Sequence, residues 1–140
     1  MKTLLMIDPK GVIANGGREV VERHNKYQSI LRNKDQKVQL IVISLGFHSN
    51  TQSSGVVRIK KKVLEFILEI VKIMLKENII LLISGDPKES FQFVRIMRAL
   101  TRKKSPIQVQ IHSDISQIAI KKQRPKNWYE NALIKSALWS

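Results

Sequence analysis

The chain contains no cysteine among its 140 residues. This absence excludes disulfide bonds, a catalytic thiol and cysteine-ligated zinc, and the fold requires no oxidising compartment. Aromatic residues are also scarce, at 6% of the sequence, whereas hydrophobic residues as a whole make up 43%. The apolar content is therefore mostly aliphatic, which indicates a folded chain of about one domain with a core of its own.

Acidic residues are few, at 11 against 25 lysines and arginines, which gives a formal net charge of +14. Many of the basic residues fall in three clusters, at 58–62, 102–104 and 121–126. A positive field of this size attracts phosphate, whether in nucleic acid, in anionic lipid head groups or in sugar diphosphates. Charge alone does not distinguish these partners, and each cluster taken singly is compatible with a solvated basic surface.

Long apolar runs are absent as well. Residues 1–7 are too short a run for a signal peptide, and Asp8 interrupts them. The most apolar stretch, 63–75, contains three charged residues and is not predicted to span a membrane. These features predict a cytoplasmic protein.

Strand and helix patterns alternate along the chain. Apolar runs predict strands at 3–7, 38–45, 79–84 and 107–111, and helical spacing predicts helices at 19–32, 57–78, 88–100 and from Pro125 onwards. Residues 46–55 are rich in turn formers and predict a mobile loop. This order predicts a single α/β domain over residues 1–140, with a Rossmann-like three-layer fold and a mostly parallel sheet.

The stretch from Thr3 to Arg18 is the first candidate for ligand binding. A short strand ends at Asp8, and the chain then passes through Gly16 and Gly17 into a helix that begins near Arg18. Amides at a helix N-terminus and the helix dipole favour an anion, so this turn predicts a phosphate site. No Walker or dinucleotide motif is present, and turn geometry alone can also require the glycine pair.

Two later loops follow strands of the same predicted sheet, at 85–90 and 112–114. In a parallel sheet the loops after the strands share one edge, so these loops are expected to gather at the same edge as the glycine pair. Asp86 and Asp114 could bind sugar hydroxyls or a metal there, and turn capping explains both equally well.

His112 directly follows a buried strand, so its ring is predicted to emerge into the cleft. A structural role for a lone histidine stays open. His24 is predicted on the first helix and His48 in the loop that follows the second strand. Neither has metal-like spacing to His112, so no zinc site is predicted.

In order and spacing these stretches resemble the N-terminal domain of family 4 retaining glycosyltransferases, enzymes of the GT-B fold. The family pattern has a strand like LLMID, a loop with paired glycines like ANGGREVVERHNKY and a second strand like QLIVISL. A turn and helix like SGDPKESFQFVRIMRAL and a strand like PIQVQIHSD follow. Many members have glycine after that histidine, where this chain has Ser113, so the family's H-G-D motif is only partly kept.

The resemblance extends over nearly all 140 residues and implies transfer of a sugar from a nucleotide-sugar donor to an acceptor with retention at the anomeric carbon. In such enzymes two Rossmann-like domains face each other, and the N-terminal one mainly holds the acceptor. By motif matching, Gly16 and Gly17 would lie near the donor diphosphate, and His112 would be the catalytic residue that faces the transferred sugar. The weaker candidates for binding donor phosphate or acceptor are Arg18, Asp86 and Asp114. The resemblance implies no metal or other cofactor.

The family's C-terminal domain, which holds most of the donor nucleotide, is absent from these 140 residues. We therefore expect half of an enzyme, inactive on its own. The wide apolar face of the helix at 57–78 and the basic clusters also fit docking on an anionic membrane, where a lipid-linked acceptor would lie. Soluble sugar acceptors are equally compatible with the sequence.

Two other classes compete with the glycosyltransferase hypothesis. A non-catalytic basic α/β module that binds nucleic acid or a nucleotide is supported by the net charge of +14. It lacks a recognised nucleic-acid motif, and aromatic residues that would stack on bases are few. A receiver-like domain would need an acidic pocket, which Asp8 and Asp86 only outline, and this hypothesis ranks last.

Overall fold

The computed structural model describes residues 1–110, which form an α/β domain around a five-stranded, all-parallel sheet. The elements are, in chain order, β1 (Lys2–Asp8), α1 (Val12–Asn15), α2 (Arg18–Lys34), β2 (Val38–Leu45), β3 (Val57–Lys60), α3 (Val63–Lys76), β4 (Asn78–Ser84), α4 (Glu89–Leu100) and β5 (Ile107–Val109). The strands lie in the order β3-β2-β1-β4-β5.

Helices pack on both faces of this sheet. On the first face α3 and α4 bury Phe66 and Phe91, the two largest fully buried side chains, against β1, β2 and β4. On the second face α1 and α2 place Ile13 and Val21 against a smaller core that includes Val42. Central strands buried from both sides require continuous apolar runs, and this explains the composition of β2. The predicted Rossmann-like three-layer fold is confirmed.

One predicted element is wrong. Residues 57–78 were expected to form a single helix, whereas the structure has β3 (Val57–Lys60) followed by α3 (Val63–Lys76). Val57 and Ile59 alternate with basic residues, and this period of two suits an edge strand with one buried face. β3 pairs with β2, and Arg58 then reaches Glu69 of α3 at 2.8 Å. The other elements predicted within residues 1–110 are present, with bounds shifted by at most two residues.

The strand order creates a topological switch point. From β1 the chain proceeds outward to β2 and β3 on one side, and then returns to form β4 and β5 on the other side of β1. Connections that leave β1 and β4 therefore diverge, and a crevice opens at the carboxyl ends of these two strands. We call the side of the sheet on which all five strands end the carboxyl edge.

No helix within residues 1–110 is long and apolar enough to cross a membrane. The predicted site residues His112 and Asp114, the last residue of the predicted strand at 107–111, and the predicted helix from Pro125 all lie outside the described residues.

Candidate functional site

Asp8 organises the start of the carboxyl edge. Its carboxylate is buried, and Oδ2 accepts hydrogen bonds from the amide of Ile13 at 2.8 Å and from the hydroxyl of Ser44 at 2.7 Å. Ser44 Oγ in turn accepts the amide of Ala14 at 3.0 Å. These bonds join the ends of β1 and β2 to α1. They fix the short helix that leads into the glycine pair.

Three glycines make this connection possible, each for a different reason. Gly11 has φ 70°, and a Cβ there would lie 2.1 Å from the carbonyl oxygen of Leu45. At Gly16 a Cβ would meet the side chain of Val20 at 2.5 Å. Gly17 has φ 79° and ψ −171°, a conformation that is essentially restricted to glycine. We refer to Gly16 and Gly17 together as the glycine bend.

The glycine bend opens onto the N-terminus of α2, as the sequence predicted. Gly17 is the N-cap residue, and within residues 1–110 no side chain caps the helix and no atom lies within 4 Å of a Cβ added at Gly17. A 17-residue helix presents first-turn amides and the positive end of its dipole at such a terminus. This combination of open space and exposed amide donors suits an anionic group such as a phosphate.

Arg18 lies beside this terminus, and its guanidinium forms an exposed ion pair with Glu22 at 2.8 Å.

A polar groove of about 620 Å³ lies between α2 and the loop after β2. It is lined by Arg18, Val21, Glu22 and Asn25 of α2, and by Asn50, Thr51 and Gln52 of the loop. Amide and hydroxyl side chains both donate and accept hydrogen bonds, so this polar groove has the chemistry to bind sugar hydroxyls.

Lys10 connects the β1 loop to the start of α4. Its ammonium lies 3.6 Å from Asp86 Oδ2 and 3.5 Å from Glu89 Oε2. The loops after β1 and β4, predicted to gather at one edge, are therefore joined there through Lys10 and not through the glycine pair. Lys10 has no local sequence signal for this role, because its partners lie far along the chain.

Asp86 has a structural task at the beginning of α4. Its carboxylate accepts hydrogen bonds from the amide of Lys88 at 2.8 Å and from the amide and hydroxyl of Ser90, the latter at 2.5 Å. Burial acts to raise the pKa of this carboxyl, but the hydrogen bonds from Ser90 and Lys88 and the charge of Lys10 outweigh burial and lower it. Asp86 is therefore anionic at neutral pH. Both of its carboxylate oxygens accept hydrogen bonds from Lys88 or Ser90 at the start of α4.

The two histidines of residues 1–110 lie on α2 and in the loop after β2. His24 lies on α2, as predicted, and is buried with Nδ1 2.7 Å from the carbonyl oxygen of Val20. His48 lies in the loop after β2. Within residues 1–110, no three histidine, aspartate or glutamate side chains are grouped as metal ligands would be.

The predicted site residues thus divide into three groups. Gly16, Gly17 and Arg18 lie together at the start of α2, and Asp86 lies at the carboxyl end of β4, where it contacts the β1 loop through Lys10. The chain leaves β5 at the same edge, because β5 is parallel to β4. His112 and Asp114 follow beyond the described part of the chain.

Comparison of the chain with known protein families, with curated proteins and with solved structures finds no match.

Proposed function

We propose that the chain is the N-terminal, acceptor-side domain of a retaining glycosyltransferase of the GT-B fold. In this proposal it acts with a second, nucleotide-binding domain to move a sugar from a nucleotide-sugar donor to an acceptor. The observation that carries the proposal is the glycine bend. Gly17 leads into an uncapped helix N-terminus with free space in front of it, in the connection that follows the central strand β1. The resembling family has its paired glycines in this same connection.

Each part of the carboxyl edge has a role in this proposal. The donor diphosphate lies against the amides that follow Gly17, where the helix dipole contributes about 0.3–1 kcal/mol to binding an anion. Developing negative charge on the leaving phosphate is stabilised by the same amides. The acceptor's hydroxyls bind in the polar groove beside Arg18. His112 is the catalytic residue by family resemblance, orienting a hydroxyl of the transferred sugar.

Thermal unfolding with millimolar nucleotide sugars or inorganic pyrophosphate tests this proposal. A ligand at ten times its Kd stabilises a protein by about 1.4 kcal/mol, which raises the Tm of a domain of this size by about 3–6 °C. Gly17→Ala should abolish the rise, because the alanine strains the bend. Gly55→Ala is the matched control, since its Cβ also meets nothing within 4 Å and no positive φ is involved.

Equal Tm rises in the Gly17→Ala and Gly55→Ala variants would contradict the proposed phosphate position. If nucleotide sugars do not change the Tm while nucleic acid binds with steeply salt-dependent affinity, the result favours the alternative hypothesis of a nucleic-acid-binding module. Of the aromatic side chains in residues 1–110, Tyr27 and Phe47 are the exposed ones, at 45% and 56%. Residues 1–110 therefore offer little surface on which bases could stack.

We further propose that α3 docks this domain on an anionic membrane. Leu64, Leu68 and Leu75 are 58–68% exposed on its outer surface, which we call the α3 stripe. Lys72 and Lys76 are exposed on the same helix. Exposed leucines beside lysines are the pattern by which helices bind the interface of anionic bilayers. A domain held in this way can reach a lipid-linked acceptor.

Vesicle co-sedimentation tests membrane docking. Binding should be stronger to anionic than to neutral vesicles, and Leu68→Gln should weaken it. The control is Ile96→Gln, because Ile96 is similarly exposed, at 57%, but lies on α4. Co-sedimentation that is no better with anionic lipid, or an equal loss in both variants, would contradict docking through the α3 stripe.

A further inference from the structure

The second face of the sheet is covered unevenly by residues 1–110. On this face α2 packs over β2 and β3, and α1 packs over β2. The helix that packs on β4 and β5 is α4, and it lies on the first face. Because strands of a parallel sheet are normally covered on both faces, we expect another element to pack on the second face of β4.

An apolar groove lies at this place, between α2 and β4, with a volume of about 280 Å³. Leu4, Met6 and Ile83 form its floor on the sheet, and Tyr27 and Ile30 line it from α2. Tyr27 and Ile30 remain 45% and 46% exposed. Leaving such side chains in water is unfavourable, and covering them would add to the core beneath α2.

The apolar groove is small. Its volume lies close to the lower limit of the range of about 300–1,000 Å³ that is typical of small-molecule pockets. A space of this size also suits a few large side chains from a packed helix. Apart from His24 and Gln110 the lining is apolar or aromatic, and His24 already bonds to Val20 and packs edge-on against Tyr27.

The chain itself leads into the apolar groove. Gln110, the last described residue, is part of the lining, and 30 further residues follow it. Their sequence predicts a helix from Pro125 with one apolar face. This face comprises Trp128, Tyr129, Leu133, Ile134, Ala137 and Leu138.

The lengths match as well. A helix over residues 125–138 would be about 21 Å long, and a seven-residue strand such as β4 is about 23 Å long. The 14 residues at 111–124 can reach up to about 46 Å, about twice the length of β4. The segment can therefore lie along the apolar groove without strain in its connection.

We propose that residues 125–138 pack as a helix into the apolar groove, cover the second face of β1 and β4, and complete the helical layer begun by α2. Trp128 and Tyr129 supply the large side chains that fill the space beside Tyr27 and Ile30. This inference is independent of the proposed glycosyl transfer, because it concerns the packing of the chain on itself.

Tryptophan fluorescence of the full chain tests the proposal, since both tryptophans of the sequence, Trp128 and Trp139, lie in the final segment. In a Trp139→Phe background, emission from Trp128 should be blue-shifted and protected from acrylamide. Ile30→Lys should red-shift the emission and increase the quenching constant several-fold. Ile96→Lys, at a comparably exposed position on the first face, should leave both unchanged. Circular dichroism verifies that the variants remain folded.

Engineered disulfides identify the occupant, and the cysteine-free sequence keeps the experiment clean. Ile30→Cys combined with Leu133→Cys, or with Ile134→Cys, should cross-link within one chain, whereas Ile96→Cys with the same partners should not. Cross-links only between chains, or protection of Trp128 that grows with protein concentration, would assign the apolar groove to a second copy and overturn the proposal. Trp128 quenched as freely as in unfolded chain, with no groove cross-link, would also overturn it.

Discussion

Replacing Asp8 by alanine should destabilise the domain strongly, because this carboxylate is a buried acceptor at the start of the carboxyl edge. The change leaves the amide of Ile13 and the hydroxyl of Ser44 without the oxygen to which they donate at 2.8 and 2.7 Å. Ile13 and Ser44 are 4% and 0% exposed, so water cannot readily replace the lost acceptor. An unsatisfied buried donor costs about 1–3 kcal/mol, and two of them give about 2–4 kcal/mol when partial relaxation is allowed.

This loss is a large part of the total stability of a typical domain, about 5–15 kcal/mol. It should lower Tm by about 7–14 °C. Asp8→Asn should have a smaller effect, because an amide oxygen in the position of Oδ2 can still accept both bonds. Asp35→Ala is the control, since within residues 1–110 the side chain of Asp35 accepts a hydrogen bond from one exposed amide, that of Lys37, at 2.9 Å. Denaturant unfolding of the three variants measures the differences. If Asp8→Ala costs no more than Asp35→Ala, the account of the anchored β1 loop is wrong.

Three further predictions follow from the same edge of the sheet. Gly11→Ala should destabilise the fold by more than about 2 kcal/mol in denaturant unfolding, because the position has a positive φ and the added Cβ would clash with the carbonyl oxygen of Leu45. Gly85→Ala is the control and should be nearly neutral, because a Cβ there has free space within residues 1–110. The lowered pKa of Asp86 should stabilise the folded state fully above the unfolded-state pKa of about 3.9 and progressively less as pH falls through the lower folded-state pKa. Unfolding measured from pH 6 to pH 2.5 should therefore show a difference between wild type and Asp86→Asn that shrinks with acid, and a constant difference would disprove the assignment. Residues 1–140 alone should give no transfer or hydrolysis of nucleotide sugars in a product assay, and measurable turnover would show that a second domain is not needed.

The elements that the sequence predicts well are those whose pattern is local and long. β2 is a continuous apolar run and α2 begins at a glycine pair, and both were expected within two residues of their observed bounds. β3 and α1 were missed because each has only four residues and depends on distant partners. β3 is held by pairing with β2. In α1, the amides of Ile13 and Ala14 donate hydrogen bonds to the side chains of Asp8 and Ser44.

The candidate site divides in the same way. The glycine bend and Asp86 were selected because each follows a predicted strand, and their chemistry is visible in a few adjacent residues. Lys10 and Ser44 could not be selected, because only the strand order brings Lys10 to Asp86 and Ser44 to Asp8. The alternation of Val57 and Ile59 with basic residues was the available signal for β3. A helical pattern that extended through the same residues concealed it.

The most direct test of the central claim is a residue-resolved measurement of where a nucleotide sugar contacts this chain. Amide chemical shifts of the isotope-labelled protein can be followed by NMR during a millimolar titration, with inorganic pyrophosphate as the second ligand. If the glycine bend holds the donor diphosphate, the largest changes for both ligands occur at Gly17, Arg18 and Glu19, at the start of α2. Changes confined to the basic residues at 58–62, with none at the glycine bend, would contradict the claim.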